Sequence, residues 1–349
     1  MNLVTGASGL LGSHIVEQLR KRGLPVRALV RRGSDRAWLA TQGVEFAEGD
    51  VSDPASLTRA CQGCDAVYHS AAKVGDWGRW EEFQRITIDG TRNLTEAAIA
   101  AGVRRLLHIS SISAYGYYTK DITVDETFPL GYRLYRWAYY SRSKVEAERI
   151  VWQAQRAGRI EVTVIRPAWI YGERDRATIA RLVSMIRAGR AKVLGRGDNR
   201  LNVVYAGNIA EAAVTAAALP QANGQAYNCS NDGVITQQEY FNLWAKALGA
   251  PPVTRHAPYR AAYFAGFLLE CLGHLLRSRR PPFITRYAVW LMGRRSYFSA
   301  DKARRELGWQ PTVPYEVGVP RTVRWYLERA GELEPAAAGA VSELAGVSS

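Results

Sequence analysis

The sequence predicts an α/β fold, a doubly wound parallel sheet with a smaller lobe assembled from its carboxyl-terminal half. Three observations carry that expectation. A short apolar run at Leu3-Val4 ends at once in a glycine-rich turn, TGASGLLG at residues 5–12. Apolar runs of strand length then alternate with helical periodicities through residue 165, the pattern of a parallel sheet covered on both faces. Beyond that point the alternation loosens, with the break GRGDN at residues 195–199 before Val203-Val204-Tyr205.

Each element follows in order. Leu3-Val4 is the first strand, and Ile15, Val16 and Leu19 repeat with the period of a helix that begins at Leu10. Strand, glycine turn and helix in this order place backbone N–H groups and a helix N-terminus against a pyrophosphate, the arrangement of a Rossmann-type dinucleotide site. Gly6 permits the tight turn, Gly9 lets the backbone approach the phosphates, and Gly12 lets the helix pack closely, with Ser8, Leu10 and Leu11 completing the loop. The next strands are expected at 25–30, 44–47, 66–69, 105–109 and 161–165, with helices at 80–101 and 140–157. After the second strand, where an acid would meet an NAD ribose, stand Arg31 and Arg32, with no acid before Asp35. Two arginines suit a 2′-phosphate, so NADP(H) is favoured and NAD(H) is the alternative. Asp50 and Val51 follow the third strand and are placed to meet the adenine, whereas Asp53-Pro54 reads as a helix N-cap with proline at the first helical position.

Function is expected after each strand's carboxyl end. Tyr140 and Lys144 lie four residues apart, which puts a phenol and an ammonium on one helix face. An ammonium beside a phenol favours the phenolate and lowers a pKa that is ordinarily about 10.

With residues 5–12, His69-Ser70-Ala71-Ala72, SSISAYG at 110–116, Tyr140 to Lys144 and RPAWIYG at 166–172 in order, the chain resembles the extended short-chain dehydrogenase/reductase superfamily over residues 2–328. The resemblance implies a nicotinamide oxidoreductase. It selects Ser111, five residues before the glycine of the segment ending Tyr-Gly, to hydrogen-bond the substrate carbonyl oxygen. It implies that Tyr140 gives or takes that oxygen's proton while hydride moves between substrate and nicotinamide C4. Lys144 would hold the nicotinamide ribose and keep the Tyr140 pKa low, and Ala71, Ala72 and Pro167 would line the cofactor. Thr87 stands where the family commonly has Asn, and it offers only a hydroxyl. Sugar-nucleotide epimerases generally carry Asn at the position of Trp169, whose indole suits a hydrophobic substrate better than a diphosphate. The segment AAKVGDWG at 71–78 is similar to that of 3β-hydroxysteroid dehydrogenase-like proteins and of bacterial reductases of long-chain 2-alkyl-3-oxo acids, which nominates Lys73 and Trp77 as substrate residues, with Trp80 assigned to the core. The expected reaction is hydride transfer to or from a steroid-like or long-chain 3-oxoacyl-like substrate. The alternatives are a sugar-nucleotide epimerase or dehydratase and a non-catalytic nucleotide sensor. The family also implies a homodimer.

The nucleotide-binding part is assigned to residues 1–166, with segments near 201–229 returning to it; 167–200 and 230–328 form the substrate lobe, and 334–349 reads as a disordered tail. Residues 260–277 are amphipathic and run into Arg277-Ser278-Arg279-Arg280. Charges interrupt them within the ~18 residues a span needs, so this is a lid or a peripheral membrane contact over 260–280, not a transmembrane helix. The net charge of +14 is assigned to an anionic cofactor, substrate or membrane rather than nucleic acid, because no nucleic-acid-binding motif accompanies it. Cys61 and Cys64 lack a second pair for zinc and read as free thiols, with no metal site expected. With the glycine loop starting at residue 6 and no room before it for a signal peptide, a cytoplasmic protein is expected, with residues 260–280 a lid or core helix in the first reading and a peripheral membrane contact in the second.

Overall fold

The computed structural model describes residues 1–118, 121–175 and 178–333; the stretch expected to be a disordered tail lies outside them. Seven strands, β1 (Asn2–Thr5), β2 (Val26–Val30), β3 (Glu45–Glu48), β4 (Ala66–His69), β5 (Arg105–Ile109), β6 (Glu161–Pro167) and β7 (Gln225–Cys229), form one parallel sheet. Its order is β7-β6-β5-β4-β1-β2-β3. The order reverses between β1 and β4, whose ends Thr5 and His69 are paired. Such a reversal opens a crevice at the carboxyl ends of the strands.

Both faces of the sheet are covered, which is why the inner strands read as apolar runs rather than alternating ones. Adjacent residues of β1 serve opposite cores: Val4 packs with Ile15, Leu19 and Ile209, and Leu3 with Leu57, Val67 and Leu94. The helix Leu10–Lys21 lies on the first face beside the helix Ala206–Ala218. Segment 201–229 supplies that second helix and β7, which extends the sheet beyond β6.

A third core holds Tyr171, Val183, Tyr240, Trp244, Tyr315 and Val319. It is built by the helices Ile179–Arg187, Gln237–Ala247 and Tyr315–Arg329, with Thr236 and Glu239 closing a capping box at the second of them.

Two elements differ from expectation. The helix expected over 80–101 is interrupted: α-helix over Trp80–Phe83, a π-helical turn over Gln84–Asp89, then α-helix over Gly90–Ala100. At the interruption the Thr91 hydroxyl donates to the Thr87 carbonyl at 2.6 Å, competing for the acceptor that the regular ladder uses.

The amphipathic helix, Tyr259–Leu275, is turned apolar side outward. Glu270 on its polar side is only 4% exposed, whereas Phe264 is 61% and Leu275 79% exposed. A buried ion pair explains the orientation: Glu270 accepts from Arg286 at 2.6 Å, and the Arg286 guanidinium lies over the Tyr135, Trp137 and Phe267 rings. Among the described residues no helix is long and apolar enough to cross a membrane.

Candidate active site

The glycine loop closes through Gly9, whose N–H donates to the Gly6 carbonyl at 2.9 Å. Gly6 has φ +67°, a conformation side chains disfavour. Gly12 is held still more tightly, since a Cβ there would lie 2.1 Å from the Gly6 carbonyl oxygen. Gly12 therefore packs against the turn itself. Gly9 is exposed and caps the helix Leu10–Lys21 without a side-chain acceptor, so first-turn amides remain for an anion. Ser8 and Leu10 reach the surface beside it, and Leu11 is buried. These residues fit a dinucleotide pyrophosphate.

The loop is tied to β4 by hydrogen bonds. Ser70 Oγ donates to the Thr5 carbonyl at 2.7 Å, and the half-buried Ala71 donates its N–H to Thr5 Oγ1 at 3.3 Å. Ala72 follows, also half-buried. The N–H of Lys73 donates to Thr87 Oγ1 at 3.0 Å. Thr87, the departure from the family pattern, thus fixes the segment after β4 from the π-helical turn, a feature frequent at functional sites.

Arg31 and Arg32, after β2, are exposed and have no carboxylate within ion-pair distance among the described residues. The neighbouring Arg36 is paired with Glu48 at 2.8 Å. Burial raises the Asp50 carboxyl, but hydrogen bonds from the Ser52 amide and hydroxyl, helped by Arg31, outweigh it and hold Asp50 below its ordinary range. Val51 is buried against Gly90. Asp53 caps the helix Pro54–Cys61, accepting from the Ala55 N–H at 3.1 Å. Pro167 ends β6, paired with Cys229 of β7.

Ser111 follows β5 and is buried, its Oγ accepting from the Ser113 N–H at 3.1 Å. Tyr140 and Lys144 come from the helix Tyr139–Arg156. The Tyr140 hydroxyl is aimed at Ser111: burial raises the Tyr140 pKa, and a hydrogen bond with Ser111 works against the rise. Lys144 Nζ donates to the Ile109 carbonyl at 2.9 Å, next to Ser110 and Ser111. Burial lowers the Lys144 pKa to about 8, with Glu148 opposing. In this structure burial is what sets the Tyr140 pKa above its ordinary value, with Ser111 opposing it, while the Lys144 ammonium is held by the Ile109 carbonyl. Ser143 packs within the helix, its hydroxyl donating to the Tyr140 carbonyl at 2.8 Å.

Sequence reasoning missed the group behind this set. Glu148 is fully buried, accepts from Ser110 Oγ at 2.7 Å and from Trp152 Nε1 at 3.0 Å, and forms an ion pair with Arg166. Arg166 donates onward to the Tyr115 hydroxyl at 2.7 Å. The signal was present, since Tyr140, Lys144 and Glu148 repeat at four-residue spacing on one helix face. Also missed was an aromatic wall. Tyr287 lies 6.1 Å from Tyr140 between ring centroids and 5.8 Å from Trp290, which packs on Tyr117 at 4.8 Å. Leu134, Tyr135 and Leu291 complete the cluster.

Lys73, Trp77 and Trp169, inferred from sequence as substrate residues, have partners of their own. Lys73 pairs with Glu82 at 3.3 Å. Trp77 donates Nε1–H to the Ser278 carbonyl at 3.0 Å and packs at a tilt on His274, 4.5 Å between ring centroids, so it fastens the loop to the outward-facing helix. Trp169 packs on Tyr240 at 5.8 Å. None of the three makes a described hydrogen bond or ring contact with Ser111, Tyr140 or Lys144. Trp80 is half-buried, 5.6 Å from Tyr139 and beneath Arg142, rather than core.

A reversed-order parallel sheet, a glycine cradle and a Ser–Tyr–Lys set beyond the carboxyl end of β5 are the features of a nucleotide-dependent oxidoreductase. The chain belongs to the NAD dependent epimerase/dehydratase family, whose sequence model matches residues 2–230, within the extended short-chain dehydrogenase/reductases. It is 34% identical to a 2-alkyl-3-oxoalkanoate reductase of Stenotrophomonas maltophilia, over 91% of this chain and 97% of that one. It is 31% identical to the mouse decarboxylating sterol-4-alpha-carboxylate 3-dehydrogenase, over 92% of this chain and 89% of that one. Among solved structures it is similar to the Streptomyces venezuelae dTDP-glucose 4,6-dehydratase DesIV, crystallised with NAD, at TM-score 0.75 and 25% identity over 96% and 99% of the two chains. The protein is an NAD(P)-dependent dehydrogenase or reductase.

Proposed function

We propose that the protein transfers hydride between NADP(H) and the hydroxyl or carbonyl carbon of a hydrophobic substrate, steroid-like or long-chain 3-oxoacyl-like. The observation that carries this reading is the wall of Tyr117, Tyr287 and Trp290 beside Tyr140, which gives the reacting carbon an apolar neighbour. The names of the reductase and sterol relatives support it. The bound nicotinamide supplies or accepts the hydride. Ser111 positions the substrate oxygen, Tyr140 exchanges its proton, and Lys144 holds the ribose, with Glu148 and Arg166 fixing the helix face behind them. Residues 167–200 and 230–328 would close over this site as the substrate lobe. Following nicotinamide absorbance with pooled 3-oxo lipids, sterols and sugar nucleotides tests the reading. NADPH consumption with a lipid ketone is expected, and isomerisation of a sugar nucleotide without net consumption would overturn it.

The preference for NADP(H) rests on Arg31 and Arg32, exposed just after β2 and with no carboxylate within ion-pair distance among the described residues. Replacing both by alanine should weaken NADPH binding roughly 10- to 100-fold, the loss of charge-assisted bonds to a phosphate, with NADH binding less affected. Fluorescence titration reads both, and equal losses for the two cofactors would contradict the assignment.

Peripheral membrane contact is supported by the outward apolar side of the helix Tyr259–Leu275, where Phe264, Leu268, Leu272 and Leu275 are exposed beside Arg277, Arg279 and Arg280. Co-sedimentation with anionic liposomes is expected at low salt, and L268S/L272S/L275S should abolish it. Failure of the native protein to bind removes the membrane contact.

A further inference from the structure

Arg294 stands out among the buried arginines of the described residues. Arg105 bonds Glu161 and three backbone carbonyls, and Arg166 bonds Glu148 and Tyr115. Arg294 is 3% exposed, and its Nε, Nη1 and Nη2 have no hydrogen-bond partner among the described residues. The chain does not lack acids nearby, because the adjacent Arg295 reaches Asp198 at 3.4 Å and Asp121 at 3.8 Å. One arginine turns outward to two carboxylates and its neighbour turns inward to none. The inward guanidinium lies 3.7 Å from the Trp290 ring centroid and 4.7 Å from that of Phe298. Burial lowers its pKa to about 9, partly offset by the phenols of Tyr287, Tyr259 and Tyr117, which leaves it cationic at neutral pH. Stacking on indole recovers part of the desolvation cost but satisfies no N–H donor. An uncompensated buried charge of this kind is costly to the free protein, and an anion held by the fork would relieve it.

Trp290 is the same ring that, with Tyr287 and Tyr117, forms the wall beside Tyr140. We infer that Arg294 binds a carboxylate of the substrate, so that the substrate is an amphiphilic hydroxy or oxo acid held by its charge at Arg294 and by its reacting oxygen at Tyr140. This deepens the hydrophobic-substrate reading and rests on it. A single guanidinium in an aromatic surround matches one negative charge, whereas a sugar-nucleotide diphosphate would bring more charge than this part of the site neutralises. Arg294 is a specificity residue here; the proton and hydride chemistry stays with Ser111, Tyr140 and Lys144.

The test pairs a long-chain β-hydroxy acid with its methyl ester, both oxidised with NADP+ by the full-length protein. The native enzyme should favour the acid in kcat/KM by at least about 10-fold, and R294M should reduce that acid-to-ester ratio roughly 10- to 100-fold. R294K should fall between them, because lysine keeps the charge and loses the fork; it carries the same ratio test should R294M not fold. A second readout needs no turnover. Myristate should raise the melting temperature of the native protein and not that of R294M, while myristyl alcohol should not distinguish them. Equal treatment of acid and ester by the native enzyme, an unchanged ratio in R294M and R294K, or equal stabilisation of native protein and R294M by myristate would overturn the inference and leave the oxidoreductase reading standing. Oxidation of neither compound, with turnover of sugar nucleotides, would remove both.

Discussion

Tyr140→Phe should lower turnover by roughly 10²–10⁴-fold, the usual contribution of a positioned general acid or base, with little change in cofactor affinity. The variant keeps the ring, and with it the packing against Tyr287 at 6.1 Å. It removes only the hydroxyl aimed at Ser111. Because burial already holds this phenol above its ordinary pKa, it is protonated in the free protein at neutral pH, the form a reductase needs to deliver a proton to a carbonyl oxygen. Initial rates and a fluorescence titration with NADPH separate the two effects. Unchanged turnover would remove Tyr140 from the mechanism, and an equal loss of cofactor binding would make its role structural.

Gly12→Ala should abolish cofactor binding and destabilise the fold. An added Cβ would lie 2.1 Å from the Gly6 carbonyl oxygen, 2.6 Å from its carbon and 2.8 Å from Ser70 Oγ. Neither neighbour is free to yield. Gly6 sits at φ +67° with the Ala71 backbone on its other side, and Ser70 is fixed to the Thr5 carbonyl at 2.7 Å. Alanine improves helix propensity by about 1 kcal/mol, but overpacking of this kind costs about 1–3 kcal/mol or more and prevails. At about 2–4 °C per kcal/mol for chains well above 100 residues, a fall of several degrees in melting temperature is expected. Gly9→Ala offers the contrast. Its Cβ would meet only the Gly6 carbonyl oxygen at 3.2 Å, so the fold should persist while phosphate approach is impaired. Thermal shift and NADPH titration of both variants check this, and a Gly12→Ala protein of native stability and affinity would contradict it.

What was legible in the sequence followed from burial. All six strands expected as apolar runs recur within a residue or two, because a parallel sheet covered on both faces leaves its inner strands nearly continuously apolar, whereas the edge strand β3, EFAE, stays partly exposed. β7 was anticipated only as a returning segment, since QAYNC offers a weaker apolar run. Ser111, Tyr140 and Lys144 were legible because a glycine anchor and a four-residue helical spacing locate them. The π-helical turn was not, for it depends on a local contest between the Thr91 hydroxyl and the backbone for one carbonyl. Glu148 was passed over because a charged residue on a helix is ordinarily solvated, and only its tertiary pairing with Arg166 places it inside. The amphipathic helix was correctly periodic, yet periodicity does not say which side faces in. The Glu270–Arg286 pair decided that.

The central claim is net hydride transfer at a carbon held beside Tyr140. Deuterium transfer from (4-²H)NADPH to a lipid ketone, read by mass spectrometry of the product, tests it most directly. The account predicts the label on the new carbinol carbon with stoichiometric NADP+ formation. Label retained on the cofactor while a sugar nucleotide is isomerised would contradict it.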